Sequence, residues 1–339
     1  MKMMEENDFK SFLKKVPKAE IHVHIEAVIK LESVKKLYKQ NTGEEMSDKE
    51  LNDIFSYNDL NGFIQAFIKV QNLLVSVEDF NIVFDDLKDY LLNNGISYCE
   101  AFFAPTAFLK KGFKYEEMVK IFKKKIAQIK EETGIVVKLL MDVSRTFGLE
   151  NAMNNYELLK KYPCDDIIGI GLGGAESKGA AKDYAPVFEL AEKEGFKVVA
   201  HAGEDVGPES IWDAIKLCHS QRIGHGITAI QDEKLMDYLV KTQIPLEVCI
   251  TSNTFTKKIV QEAKKHPIKT FFEKGMKVTV NTDDPVFFKS DLLNEYWICY
   301  KELNFTMDEI KQLIINSFES TYLSENEKRT WIEKVEKEF

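Results

Sequence analysis

Four short segments carry side chains that could do metal-assisted hydrolysis: His22-Val23-His24, His201-Ala202-Gly203-Glu204, Gly224-His225-Gly226 and Asp283-Asp284. Each ends an apolar, β-type run. Side chains two apart on a strand point to the same face, so His22 and His24 can offer two imidazoles to one ion. A third histidine and a carboxylate would complete a site with one position left for water, the arrangement of catalytic Zn²⁺. Such a site lowers the pKa of bound water towards neutrality. Glu204 follows His201 by three residues in a glycine-containing loop, close enough to move protons without ligating the metal. Asp283 and Asp284 are neighbours that a short extended backbone would aim differently, one at the metal and one at substrate or water. The fourth apolar run ends Gly169-Ile170-Gly171-Leu172-Gly173-Gly174, with no lysine or carboxylate to bridge a second ion. One metal is expected. The glycines there permit close approach of a flat ligand to backbone N–H groups.

These segments need a frame that gathers strand ends. Eight apolar runs read as strands: Ala19–Ile25, Ser97–Phe103, Val136–Val143, Ile167–Leu172, Lys197–His201, Arg222–His225, Leu246–Ile250 and Lys277–Asn281. Most are continuously apolar, as parallel strands buried on both faces must be. Helix-periodic stretches alternate with them, among them Met118–Glu131, Tyr184–Lys193, Ile211–Leu217 and Glu233–Lys241, and Gly134 and Gly195 follow the first two as stop signals. The pattern predicts an α/β chain folded as a (β/α)₈ TIM barrel, a single domain over residues 1–339. The motifs would then meet at the C-terminal mouth. An open doubly wound sheet fits less well, because no G-x-G-x-x-G follows the first strand. Residues 31–94 are too long for one crossover and read as extra helices after strand 1, placed to form a lid.

Composition narrows the partners. The chain has 339 residues, 44% hydrophobic and 30% charged, with 46 basic against 55 acidic residues. A net charge of −9 argues against a nucleic-acid partner and does not exclude a nucleotide or nucleoside as a small-molecule substrate. Five scattered cysteines, never in C-x-x-C, read as reduced thiols. Met1–Lys10 is charged and lacks the apolar stretch of a signal peptide, and no run is long enough for a bilayer, so a cytoplasmic protein without membrane contact is expected. The oligomeric state is left open. His219 and His266 match no motif and are expected on exposed loops. Lys123–Lys125 and Lys257–Lys258 read as solvated faces, His225 as an exposed strand-end turn, and Ser252 and Asn253 as supports of the turn after strand 7.

Pro17-Lys18-Ala19-Glu20-Ile21-His22-Val23-His24, His201-Ala202-Gly203-Glu204, Gly224-His225-Gly226, Thr251-Ser252-Asn253 and Asn281-Thr282-Asp283-Asp284-Pro285 together resemble the adenosine and adenine deaminases, in family order from Pro17 almost to the C-terminus. The resemblance implies a barrel holding one Zn²⁺ that replaces a purine 6-amino group by oxygen and releases ammonia. By matching position, His22, His24, His201 and Asp283 would bind Zn²⁺, and Glu204 would protonate purine N1. His225 and Asp284 would orient and deprotonate the water, Asp284 also holding N7. The Gly174 N–H would donate to N3, and Leu60, Phe63 and Ile64 would form an apolar lid. After His24 the nucleoside deaminases usually continue Leu-Asp-Gly-Ser; this chain has Ile25-Glu26-Ala27-Val28. Glu26 resembles adenine deaminases and some deaminases of 5′-modified nucleosides, as does the stretch from His266 to Glu319 the adenine branch. Gly173-Gly174 and Gly224-His225-Gly226 look more like the nucleoside branch. The expected substrate is adenosine or 2′-deoxyadenosine, with adenine, a 5′-modified adenosine or another aminated heterocycle as alternatives, and a non-catalytic nucleoside-binding barrel as the third.

Overall fold

β-Branched and apolar runs form eight parallel strands in the computed structural model, which describes residues 4–257 and 259–339. They are β1 (Lys18–His24), β2 (Ile96–Phe103), β3 (Val136–Asp142), β4 (Ile167–Leu172), β5 (Lys197–Ala202), β6 (Arg222–His225), β7 (Leu246–Val248) and β8 (Val278–Val280). Their order in the sheet is sequential. An isolated parallel bridge between Val23 and Asp283 joins the last strand to the first, so the chain is a (β/α)₈ barrel. Strands 7 and 8 are shorter than predicted because the backbone leaves the sheet at the mouth, Ile250–Thr256 winding into a helix.

Helices follow the strands and cover them. Tyr115–Thr133 is longer than its periodic core and stops at Gly134, whose left-handed backbone (φ 75°) suits glycine. Between β1 and β2 the extra segment forms helices Leu31–Thr42, Asp48–Ile54, Leu60–Asn72 and Phe80–Asn94. Ser47 and Asp59 cap the second and third of these by accepting N–H groups of Glu50 and Gly62. No helix among the described residues is long and apolar enough to cross a membrane.

The apolar core lies between strands and helices, while the barrel interior is unusually charged. Glu20, Glu100, Arg222 and Glu247 are all buried there among apolar strand residues. Buried charges must be paired, and they are. Arg222 reaches Glu100 Oε2 at 2.5 Å and Glu247 Oε1 at 2.6 Å, and Thr282 and Tyr90 donate to Glu20 at 2.7 and 2.9 Å. Above this layer Phe102, Leu140 and Val199 form a small apolar cluster.

Two surface expectations are corrected. His266 is buried, 3% exposed, because its ring is held by Ile268 N–H and Asn253. Lys125 is also buried; its ammonium reaches out to Asp85 at 2.6 Å while the stem packs inside. His219 is exposed, as expected, and Lys258 lies outside the described residues. All five cysteines are free thiols.

A β-carbon on Gly169 of β4 would stand 2.0 Å from the Lys197 carbonyl oxygen. Gly169→Ala should therefore destabilise the barrel by about 1–3 kcal/mol, read as a lower thermal midpoint. An unchanged midpoint would contradict this packing.

Candidate active site

At the C-terminal ends of β1, β5, β6 and β8 the polar side chains converge. His22 and His24 share a face of β1, and their ring centroids lie 5.9 Å apart. His201 from β5 stands 4.5 Å from His22 and 5.6 Å from His24. His225 from β6 lies 4.9 Å from His22 and 5.1 Å from His201. Asp283 brings a carboxylate oxygen to 3.5 Å from His22 Nε2 and 3.3 Å from His24 Nε2. Phe102 packs its ring against His22, His24 and His201, which fixes their orientation and excludes water from their flanks.

The backbone is bent to achieve this. His225 has φ 61° and Asp283 has φ 66°, left-handed values that side-chain-bearing residues rarely adopt. Asp283 is locked there by its own peptide groups: its N–H donates to His22 O at 3.1 Å, and its carbonyl accepts from His24 N–H at 2.9 Å. Gly224 is required by crowding, since a β-carbon would come within 2.7 Å of His22 Cε1 and 3.1 Å of His201 Cδ2. His225 is fully buried, not on the exposed turn that its flanking glycines suggested.

The donor set suits a cation. His22 Nε2, His201 Nε2 and His225 Nε2 are buried without a hydrogen-bond partner, a costly state unless something fills the space between them. Two groups of three bring their ligand atoms within 4.8 Å of one another: His22, His201 and His225, and His22, His24 and Asp283. Burial disfavours charge on Asp283, yet the imidazoles of His22 and His24 beside it outweigh this and hold the carboxyl well below its usual range. Burial likewise opposes charge on His24, but the carboxylates of Asp284 and Asp283 carry it up to about 10. The site thus draws positive charge, which a divalent metal supplies better than a proton.

Around this cluster stand the proton-transfer groups. Glu204 Oε2 is 3.6 Å from His225 Nε2. Burial, then the charge of Asp283, pushes its carboxyl well above the usual range, which favours the proton-carrying form. Burial and Asp283 also raise Asp284, to about 8. Gly174, at φ 90°, follows β4, where a β-carbon would come within 3.1 Å of Thr146 Oγ1 and 3.6 Å of Ser144 Oγ. Glu26 sits in the turn Ile25–Val28, 3% exposed; Oε1 accepts the Ala104 N–H at 3.0 Å and Oε2 has no partner. Phe63 stacks among Tyr57, Phe67, Phe255, Phe287 and Phe288 near the β8 end. Ile64 is 38% exposed on the same helix, and the side chain of Leu60 lies outside the described residues.

Glu247 and Glu176 escaped the sequence reading, and Ser252, expected to support the turn after strand 7, reaches the site itself. Glu247 Oε2 accepts from His22 Nδ1 at 2.8 Å, and Ser252 Oγ donates to Asp283 Oδ2 at 2.7 Å. Glu176 accepts the N–H groups of Gly203, Glu204 and Asp205 at 2.8, 2.7 and 2.9 Å, and so shapes the loop that carries Glu204. A lone charge inside an apolar β run, as in Leu246-Glu247-Val248, was the available signal for Glu247.

A (β/α)₈ barrel with histidines and a carboxylate gathered at its C-terminal mouth defines a metal-dependent hydrolase. Residues 17–338 match the family described as Adenosine deaminase. The adenine deaminase of Acinetobacter baylyi is 32% identical over 325 residues, covering 95% of this chain and 97% of the relative. The aminodeoxyfutalosine deaminase of Streptomyces avermitilis is 32% identical over 320 residues, 93% and 89% of the two chains. The crystal structure of an adenine deaminase from Arthrobacter aurescens superposes with a TM-score of 0.90 at 27% identity, covering 95% and 98%. The chain belongs to the adenosine deaminase family of metal-dependent aminohydrolases. It is a deaminase, an enzyme that acts on C–N bonds.

His24→Ala removes one imidazole of the cluster and should leave purified protein with far less than one metal per chain by elemental analysis. Full metal content would place the ion elsewhere.

Proposed function

We propose that the protein is a zinc-dependent purine aminohydrolase with adenine as its leading substrate. Zinc is favoured by the donor types, three imidazoles and one carboxylate in a buried cluster. His22, His24, His201 and Asp283 would hold it. When bound, the metal acidifies a water molecule and so supplies the nucleophile. The rest falls to the chain itself. Protonated Glu204 donates to purine N1, drawing electron density from C6 and making it electrophilic. His225 and Asp284 face the water, and Asp284 accepts a proton. The Gly174 N–H faces N3. Phe63 and Ile64 lie over the ring and keep bulk water out. Ammonia leaves as C6 becomes a carbonyl carbon.

The observation that carries this reading is Glu204, a carboxyl 3.6 Å from His225 Nε2 and beside unpartnered imidazole nitrogens, whose affinity for a proton is raised by burial and then by Asp283. Hydrolysis of an ordinary amide has no use for an acid placed at a ring nitrogen. Adenine leads over adenosine for two reasons. Relatives named adenine deaminase are 32–33% identical over nearly the whole of both chains. Glu26, in the position where nucleoside deaminases carry Asp, keeps one buried oxygen without a donor, and the imidazole ring of the free base offers an N–H that a nucleoside lacks. Adenosine, 2′-deoxyadenosine or a 5′-modified adenosine is the second reading. It draws on Gly173-Gly174 and on the relatives named aminodeoxyfutalosine deaminase.

Zinc-loaded enzyme incubated with adenine, adenosine, 2′-deoxyadenosine and 5′-substituted adenosines should release ammonia fastest from adenine, followed by ultraviolet absorbance. A higher kcat/KM for a nucleoside would move the assignment to that branch, and no turnover of any of them would remove it. Glu204→Gln should retain metal and lose kcat by roughly 10²-fold or more, because an amide cannot deliver the N1 proton. Near-normal kcat would show that another group is the acid.

A further inference from the structure

One hydrogen-bonded chain runs from a backbone amide outside the site to the imidazole of His225, and its direction is determined at every link. The Ile268 N–H lies 3.2 Å from His266 Nδ1. A backbone amide only donates, so Nδ1 holds a lone pair. Burial keeps the His266 imidazole neutral, its pKa lowered to about 3, and its single proton therefore sits on Nε2. That nitrogen is 3.2 Å from Asn253 Oδ1. The amide orientation is forced, because a flipped side chain would set NH₂ against N–H. Asn253 Nδ2 then stands 3.1 Å from His225 Nδ1. An amide nitrogen only donates, so His225 Nδ1 must accept.

We propose that Asn253 and His266 are positioning residues that lock His225 in the tautomer with its proton on Nε2, so that it faces the site as a donor and stays out of the metal shell. His22 is wired in the opposite sense. Its Nδ1 faces the Glu247 carboxylate at 2.8 Å, and Arg222 holds that carboxylate from behind at 2.6 Å. An anion only accepts, so His22 carries its proton on Nδ1 and turns the Nε2 lone pair to the site. Two buried rings 4.9 Å apart thus present opposite chemistry to the same space. The wiring chooses between the two possible ligand groups. A shell of His22, His201 and His225 would need a lone pair that His225 does not have there, whereas His22 keeps its own and Asp283 offers a carboxylate oxygen.

On the deamination reading above, the wiring also divides the labour at the water. A neutral His225 with Nε2–H can donate to the water oxygen but cannot take its proton, which leaves Asp284, in its ionised form, as acceptor. The sequence resemblance had given both residues a share in that deprotonation.

The chain has six histidines, few enough for two-bond ¹⁵N–¹H correlation spectra of ¹⁵N-histidine-labelled, zinc-loaded enzyme, with His225 assigned by its loss in His225→Asn. His225 should show a protonated Nε2 and a bare Nδ1. Asn253→Asp replaces the donor by an acceptor and should place a proton on His225 Nδ1. His266→Gln still offers an N–H to Asn253 Oδ1 and should leave His225 as in the wild type. A wild-type His225 with its proton on Nδ1, or a bare Nδ1 in Asn253→Asp, would overturn the proposal. The wild-type spectrum decides the tautomer even if a variant fails to fold. It also does so whether or not any purine is turned over, so failure of the proposed function would be seen separately.

Discussion

The pairing of Asp283 with β1 is the contact on which barrel and site both rest. Its peptide N–H and C=O bond to His22 and His24, and this bridge closes the sheet. The same residue, turned by its φ of 66°, aims its carboxylate at both imidazoles of β1. Closing the barrel and assembling the metal-binding cluster are therefore one event. A residue held in left-handed geometry costs on the order of 1–3 kcal/mol, and here two peptide hydrogen bonds offset it. The penalty persists because relaxing Asp283 would open the sheet at its seam.

Below the seam, buried carboxylates act as fixed anchors. Glu20 accepts from the Thr282 N–H and hydroxyl, just before Asp283, and so holds the backbone that makes the seam. Glu247 orients His22, and Arg222 ties Glu247 to Glu100. Glu176 gathers three successive N–H groups of the loop bearing Glu204. Each anchor is a charge placed where only a complete set of partners makes burial tolerable. Positions of the reacting groups are thus set by polar contacts with narrow geometry, where apolar packing alone would allow drift.

Electrostatics then separates the roles of similar side chains. Asp283 and Asp284 are adjacent, yet the imidazoles beside the first lower its pKa while burial and that neighbouring carboxylate raise the second to about 8. Glu204 is pushed up by the same negative charge. One well-compensated carboxylate thus creates the conditions for proton-carrying groups around it.

Continuous apolar runs marked all eight strands, because parallel strands buried on both faces leave no polar alternation and can be recognised one at a time. The spacing of His22 and His24, and the placement of His201, Glu204, His225 and Asp283 at the ends of such runs, were local features and so legible. Asn253, His266, Glu176 and Glu247 were not, since each matters through a partner distant in sequence. His266 looked like a surface residue until the fold set Asn253 between it and His225. The sequence by itself determined which chemistry was available, because residue type and strand period are properties of short segments. Only the tertiary structure decided which nitrogen of each ring carries the proton, because that depends on whether a donor or an acceptor from another element stands opposite it.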